Sequence, residues 1–90
     1  MTAIVPQLRR LKIMKACVLL KCRPGTYREV AKRIESISDV KTVFPSLGRW
    51  DVVLKLETSN IRSLSNAVRR LRAIEEIECS ETLIELQGAE

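Results

Sequence analysis

Arg49 and Asp51 stand on either side of the only tryptophan, Trp50, directly after Gly48 in a chain of 90 residues. Opposite charges flanking an aromatic can receive a zwitterion, with its carboxylate on the guanidinium, its ammonium on the carboxylate and its apolar part on the indole. Each residue also has a plainer reading. Gly48 suits any hairpin turn. Trp50 alternates with Val52, Leu54 and Leu56 and so reads equally as one more core residue. Arg49 and Asp51 read equally as a surface ion pair or as separately solvated charges. Ser80 and Thr82 lie two apart, which turns both hydroxyls to one side of a strand. They suit a ligand's polar end, or they fill an edge strand.

The rest of the inventory argues against catalysis. The chain has no histidine, so the commonest metal ligand and general base is missing. It also shows no nucleophile–base pair at a recognisable spacing, no phosphate-cradling glycine loop and no metal-type cluster. The expectation is a non-enzymatic protein with no cofactor and no metal. Cys17, Cys22 and Cys79 are an odd set without paired spacing, and they read as small apolar side chains of an intracellular protein. Stacking of RNA bases calls for aromatics on central strands. The stretch Trp-Asp-Val-Val-Leu-Lys-Leu-Glu (50–57) has a single aromatic, at its start.

Ninety residues make one domain near the small end of what folds alone. Apolar residues are 46% of the chain but aromatics only 3%, and small cores often need a partner surface, so oligomerisation is expected. The formal charge of +5 is spread unevenly. Residues 1–33 carry nine Lys and Arg against one acid, Glu29, whereas residues 75–90 carry six acids and no base. The basic part suits either nucleic acid or neutralisation by neighbouring strands and subunits. No export-signal pattern opens the chain. The apolar run Ala16 to Leu20 is far short of the roughly 20 residues of a membrane span, so a soluble, cytoplasmic protein without a membrane partner is expected.

The elements that must position the corner follow from periodicity. Residues 1–14 read as an N-terminal extension. Lys15 to Cys22 is a strand with apolar residues on both faces, which suits a central position. Thr26 to Ile37 is a helix, with Thr26 and Glu29 spaced as a capping box and Tyr27, Val30, Ala31, Ile34 and Ile37 on its apolar side. Val40 to Glu57 forms two strands joined through Pro45, Gly48, Trp50 and Asp51. Thr58, Ser59 and Asn60 offer the next N-cap, for a helix whose stripe is Ile61, Leu64, Val68, Leu71 and Ile74. The last strand, Ile77 to Leu86, carries Glu78, Glu81 and Glu85, as edges often do. Residues 87–90 form a tail.

This order, βαββαβ, contains an internal echo. Val18-Leu19-Leu20-Lys21 matches Val52-Val53-Leu54-Lys55, and Ile34/Ile37/Val40 recurs as Leu71/Ile74/Ile77. Two interleaved βαβ units give an α+β, ferredoxin-like sandwich: one four-stranded antiparallel sheet, order 4-1-3-2, with both helices on one face. Cys17, Leu19 and Val53 are then left on the open face. Such a patch is costly to expose, so a two-fold dimer through the open sheet face is expected.

Pro24-Gly25, Val40 to Phe44, Gly48-Arg49-Trp50-Asp51-Val52-Val53-Leu54-Lys55 and Ser80-Glu81-Thr82 together resemble the effector-binding (RAM) domain of the Lrp/AsnC transcriptional regulators, over about residues 15–86. The resemblance implies dimers that associate into rings, and amino acids bound in clefts between dimers. Carried over by position, Gly48, Arg49, Trp50, Asp51, Thr82 and Ser80 would line the site. Arg49 is variable in that pattern, so its role as carboxylate partner comes from its chemistry alone. Full-length regulators place a helix-turn-helix domain in front, for which residues 1–14 are too short. The chain thus looks like a stand-alone module without direct helix-turn-helix DNA binding, which would modulate a full-length regulator or another partner. Two rivals differ in where they act. An ACT-type regulatory domain, suggested by Arg23 to Val30, would bind near Gly25. A basic nucleic-acid-associated assembly protein would work through its N-terminus.

Overall fold

The computed structural model describes residues 13–85. Its elements are β1 (Met14–Cys22), α1 (Tyr27–Glu35), β2 (Val40–Pro45), β3 (Val52–Thr58), α2 (Ile61–Arg72) and β4 (Ile77–Ile84). The sheet is antiparallel in the order β2-β3-β1-β4, the expected order read from the other edge. This is the ferredoxin-like βαββαβ arrangement. Met14 already belongs to β1; most of the expected extension and all of the expected tail lie outside the described residues.

The core follows the alternation of the two central strands. Ala16, Val18, Leu20 and Cys22 on β1 and Val52, Leu54 and Leu56 on β3 are buried against Val30 and Ile34 of α1 and Leu64, Ala67 and Leu71 of α2. The echo is visible as paired geometry. Val18 lies opposite Leu54 and Leu20 opposite Val52, so the repeated strands are antiparallel neighbours. Each helix hands over to its next strand through the same two turns. Ile37 N–H donates to Ile34 O and Val40 N–H to Ile37 O, both at 3.0 Å; Ile74 N–H donates to Leu71 O and Ile77 N–H to Ile74 O, both at 3.1 Å.

Two local expectations fail for physical reasons. Thr26 does not cap α1; its hydroxyl donates to Arg23 O at 2.7 Å, drawn into the turn made by Arg23, Pro24 and Gly25. Asn60 does cap α2, its side-chain oxygen accepting the Ser63 N–H at 2.8 Å. Ile61 was expected in the apolar stripe of α2 but is exposed, because it starts the helix at an angle away from Leu64, Ala67 and Leu71.

The opposite face of the sheet has no helix. Register places Phe44, Val53 and Leu19 side by side across β2, β3 and β1, with Cys17 beside Leu83 one row on. Phe44 is 42% exposed and Leu83 51%.

Candidate functional site

The corner between β2 and β3 is closed by its own backbone. Ser46 N–H donates to Asp51 O at 2.9 Å, and the Ser46 hydroxyl donates to Trp50 O at 2.6 Å, which leaves residues 47–50 as the exposed bend. Gly48 has φ of +120°, a region L side chains rarely adopt, so a turn of this shape requires glycine although the space beside it is open.

Asp51 fastens this corner to the centre of the sheet. Its N–H donates to Leu20 O at 2.8 Å, and its Oδ2 accepts the N–H of Cys22 at 2.8 Å. That carboxylate therefore has one oxygen committed to the end of β1, which narrows what an ammonium group could use. Burial pushes the Cys22 thiol above its ordinary pKa, and the negative charges of Asp51, Glu78 and Glu76 push the same way.

Arg49 does not pair with Asp51. Its guanidinium carbon lies 5.7 Å from the centroid of the Trp50 ring, a cation–π arrangement on the exposed side of the bend. Trp50 is half-buried, between the core reading and the ligand reading of its sequence position.

A concavity of about 370 Å³ lies next to the bend, lined by Tyr27, Pro45, Ser46, Leu47 and Asp51. Tyr27 and Leu47 are site residues that sequence reasoning missed. Tyr27 was assigned to the apolar side of α1, yet it is 37% exposed here with Arg28 stacked 5.8 Å over its ring. Leu47 is fully exposed at 102%, an apolar side chain held out in solvent at the tip of a rigid turn. Its one visible signal in the sequence is a leucine placed inside a turn otherwise made of Pro, Ser and Gly.

Ser80 and Thr82 do face the same way, but towards the helix layer. They pair with the buried Leu20 and Val18 and line a groove of about 460 Å³ between α2 and β4, together with Val68, Arg72, Ile77, Glu78 and Cys79. Leu20 has Val52 on one side and Ser80 on the other, so Ser80 stands two strand spacings, about 10 Å, from the strand that follows the corner. One chain thus brings Gly48, Arg49, Trp50 and Asp51 together and leaves Ser80 and Thr82 in a separate groove. Among the described residues no group of three or more His, Cys, Asp or Glu is placed to hold a metal ion.

A model of the Lrp/AsnC ligand binding domain matches residues 15–88. The HTH-type transcriptional regulator FL11 of Pyrococcus furiosus is 32% identical over 72 residues, which are 80% of this chain and 48% of that protein. The chain spans about half the length of the FL11 proteins it matches. Among solved structures, the hypothetical protein PHS023 from Pyrococcus horikoshii is similar at 25% identity with a TM-score of 0.79, over 84% of this chain and 93% of that one. The fold is shared with NMB0573 from Neisseria meningitidis, solved as a complex with L-Met, at 18% identity and a TM-score of 0.75 over 94% of this chain and 56% of that one.

Proposed function

The chain belongs to the Lrp/AsnC ligand-binding domain family, and from that premise we propose that it is a non-enzymatic, cytoplasmic sensing module for a small effector, an amino acid, whose binding modulates a transcription regulator or another partner. No helix among the described residues is long and apolar enough to cross a membrane.

The observation that carries the reading is the bend itself. Gly48 at positive φ and the Asp51–Cys22 hydrogen bond hold Arg49 and Leu47 out in solvent, with Trp50 half-buried beside them. A rigid corner that exposes a guanidinium, an indole and an aliphatic side chain is pre-organised for a ligand with a carboxylate and an apolar part. The solved complex of a same-fold protein with L-Met supports an amino acid as the ligand class. We place the ligand in a cleft between copies. Gly48, Arg49, Trp50 and Asp51 come from one chain, and Thr82 and Ser80 from a neighbour, because within one chain Asp51 borders the concavity beside the bend whereas Ser80 and Thr82 line the separate groove between α2 and β4.

The same reading assigns the apolar row Phe44, Val53 and Leu19 to a two-fold dimer through the open sheet faces, with dimers joining into a ring. The test is a thermal-shift screen of the full chain against the twenty amino acids. A ligand at 100 times its Kd stabilises by about 2.7 kcal/mol. Loss of that shift in Trp50→Ala supports the reading. Loss in Gly25→Ala with Trp50→Ala unaffected would favour the ACT-type site instead.

A further inference from the structure

The two helices occupy equivalent places in the internal echo, yet their exposed sides differ in charge. α1 mixes Arg28, Lys32 and Arg33 with Glu29 and Glu35, and Arg33 is further neutralised by Glu76 at 3.2 Å. α2 carries Arg62, Arg69, Arg70 and Arg72, all exposed, with no acid anywhere in its 12 residues. Among the described residues none of these four arginines forms an ion pair.

Helical geometry arrays them on one surface. Arg62 and Arg69 are seven residues apart, about 10 Å along the axis, and point directly away from the buried Leu64, Ala67 and Leu71. Arg70 and Arg72 flank them on either side, and exposed Ser65 and Asn66 lie between. Helix stability accounts for only part of this. Positive charge in the last turn suits the macrodipole, but Arg62 stands in the first turn, where it opposes it and where no acid compensates. Every cation is arginine and none lysine, and the guanidinium is the group that grips phosphate through two hydrogen bonds. Hydroxyl and amide side chains between the arginines add further donors of the kind that contact nucleic-acid backbones. The face also lies on the opposite side of the molecule from Phe44, Val53 and Leu19, so sheet-to-sheet pairing leaves it open.

We propose that the outer face of α2 binds the phosphate backbone of nucleic acid, with Arg62, Arg69, Arg70 and Arg72 as the phosphate contacts and without reading base sequence. The axial span from Arg62 to Arg69 covers about three phosphates of one strand at about 3.4 Å each. Arg62, Arg69 and Arg70 stand apart from the proposed effector site, whereas Arg72 also borders the groove of Ser80 and Thr82. It also differs from the N-terminal basic segment that the uneven charge first suggests.

The test is fluorescence anisotropy of the full chain with a labelled mixed-sequence duplex over a salt series. Four phosphate contacts give a slope of log affinity against log salt of about −3.6, or about a 150-fold loss between 50 and 200 mM. In Arg62→Gln/Arg69→Gln, whose fold is checked by circular dichroism, the slope shrinks by about 1.8. In Arg9→Gln/Arg10→Gln it keeps its value. The proposal is overturned by absence of binding at 50 mM salt, or by a slope that Arg62→Gln/Arg69→Gln leaves unchanged. Displacement of the duplex by polyglutamate as readily as by unlabelled duplex also overturns it, and assigns the face to an acidic protein. Salt-sensitive self-association lost in Arg62→Gln/Arg69→Gln, without duplex binding, overturns it in favour of the acidic β4 edge of a second copy.

Discussion

The carboxylate of Asp51 accepts the backbone N–H of Cys22 at 2.8 Å, tying the bend after β2 to the last residue of β1, 29 positions away in sequence. Asp51 is thus as much a structural clamp as a candidate ligand contact. Asp51→Ala leaves the N–H of a nearly buried residue without its partner and should cost about 1–3 kcal/mol in urea unfolding. Asp51→Asn keeps an acceptor oxygen and should cost clearly less. Equal losses in the two variants would mean that the clamp does not depend on that oxygen.

The two helix starts give an internally controlled pair. Asn60→Ala removes the oxygen that accepts the Ser63 N–H and should cost about 1 kcal/mol. Thr26→Ala removes only an exposed hydroxyl bonded back to Arg23 O, and should change stability by under about 0.5 kcal/mol. Chemical denaturation of both variants checks this, and the reverse ranking would contradict the capping geometry.

That contrast also shows where the sequence was legible. β1 and β3 were, because each is a short run with apolar residues on both faces, which suits a central strand, and Ala16, Val18, Leu20 and Leu54 share one of those faces. The handover from helix to strand was legible too, since Ile34/Ile37/Val40 and Leu71/Ile74/Ile77 repeat one spacing. The Thr26 cap was not, because the preceding turn competes for the same hydroxyl. Ala67 escaped notice because a methyl group weighs little in an apolar pattern, although it is buried on the inner face of α2. At the site, the composition of the 48–51 bend was legible, but the face to which Ser80 and Thr82 turn was not. β4 alternates poorly, and only its pairing with Val18 and Leu20 decides it. Tyr27 reaches the corner through tertiary packing that no local pattern encodes.

The apolar row on the open sheet face predicts a dimer sensitive to single charges. Leu19 and Val53 are half-buried members of that row and lie outside the core cluster. Leu19→Glu or Val53→Glu should convert the species seen by light scattering at micromolar concentration to a monomer that keeps its far-ultraviolet circular dichroism. A wild-type chain that is already monomeric would contradict the sheet-to-sheet assignment.

Cys22 gives a pH prediction. Its folded-state pKa is raised from 9.0, chiefly by burial and then by Asp51, so the folded chain holds the proton that the unfolded chain releases. The stability this contributes is fully present below about pH 9 and falls as pH rises through the folded value. Cys22→Ala should flatten the alkaline limb of stability against pH. The buried Cys22 should also react with a thiol reagent after the exposed Cys79.

The proposed role of the bend at Gly48 to Asp51 is to receive an amino acid through Arg49 and Trp50. Isothermal titration of the full chain with the amino acid that gives the largest thermal shift, repeated on Arg49→Gln and Trp50→Ala, tests it most directly. Binding to the wild type should be saturable and should weaken at least tenfold in both variants, each of which alters an exposed or half-buried side chain and leaves the Asp51–Cys22 clamp in place. Saturable binding that neither substitution weakens would contradict it, as would the absence of binding by all twenty amino acids.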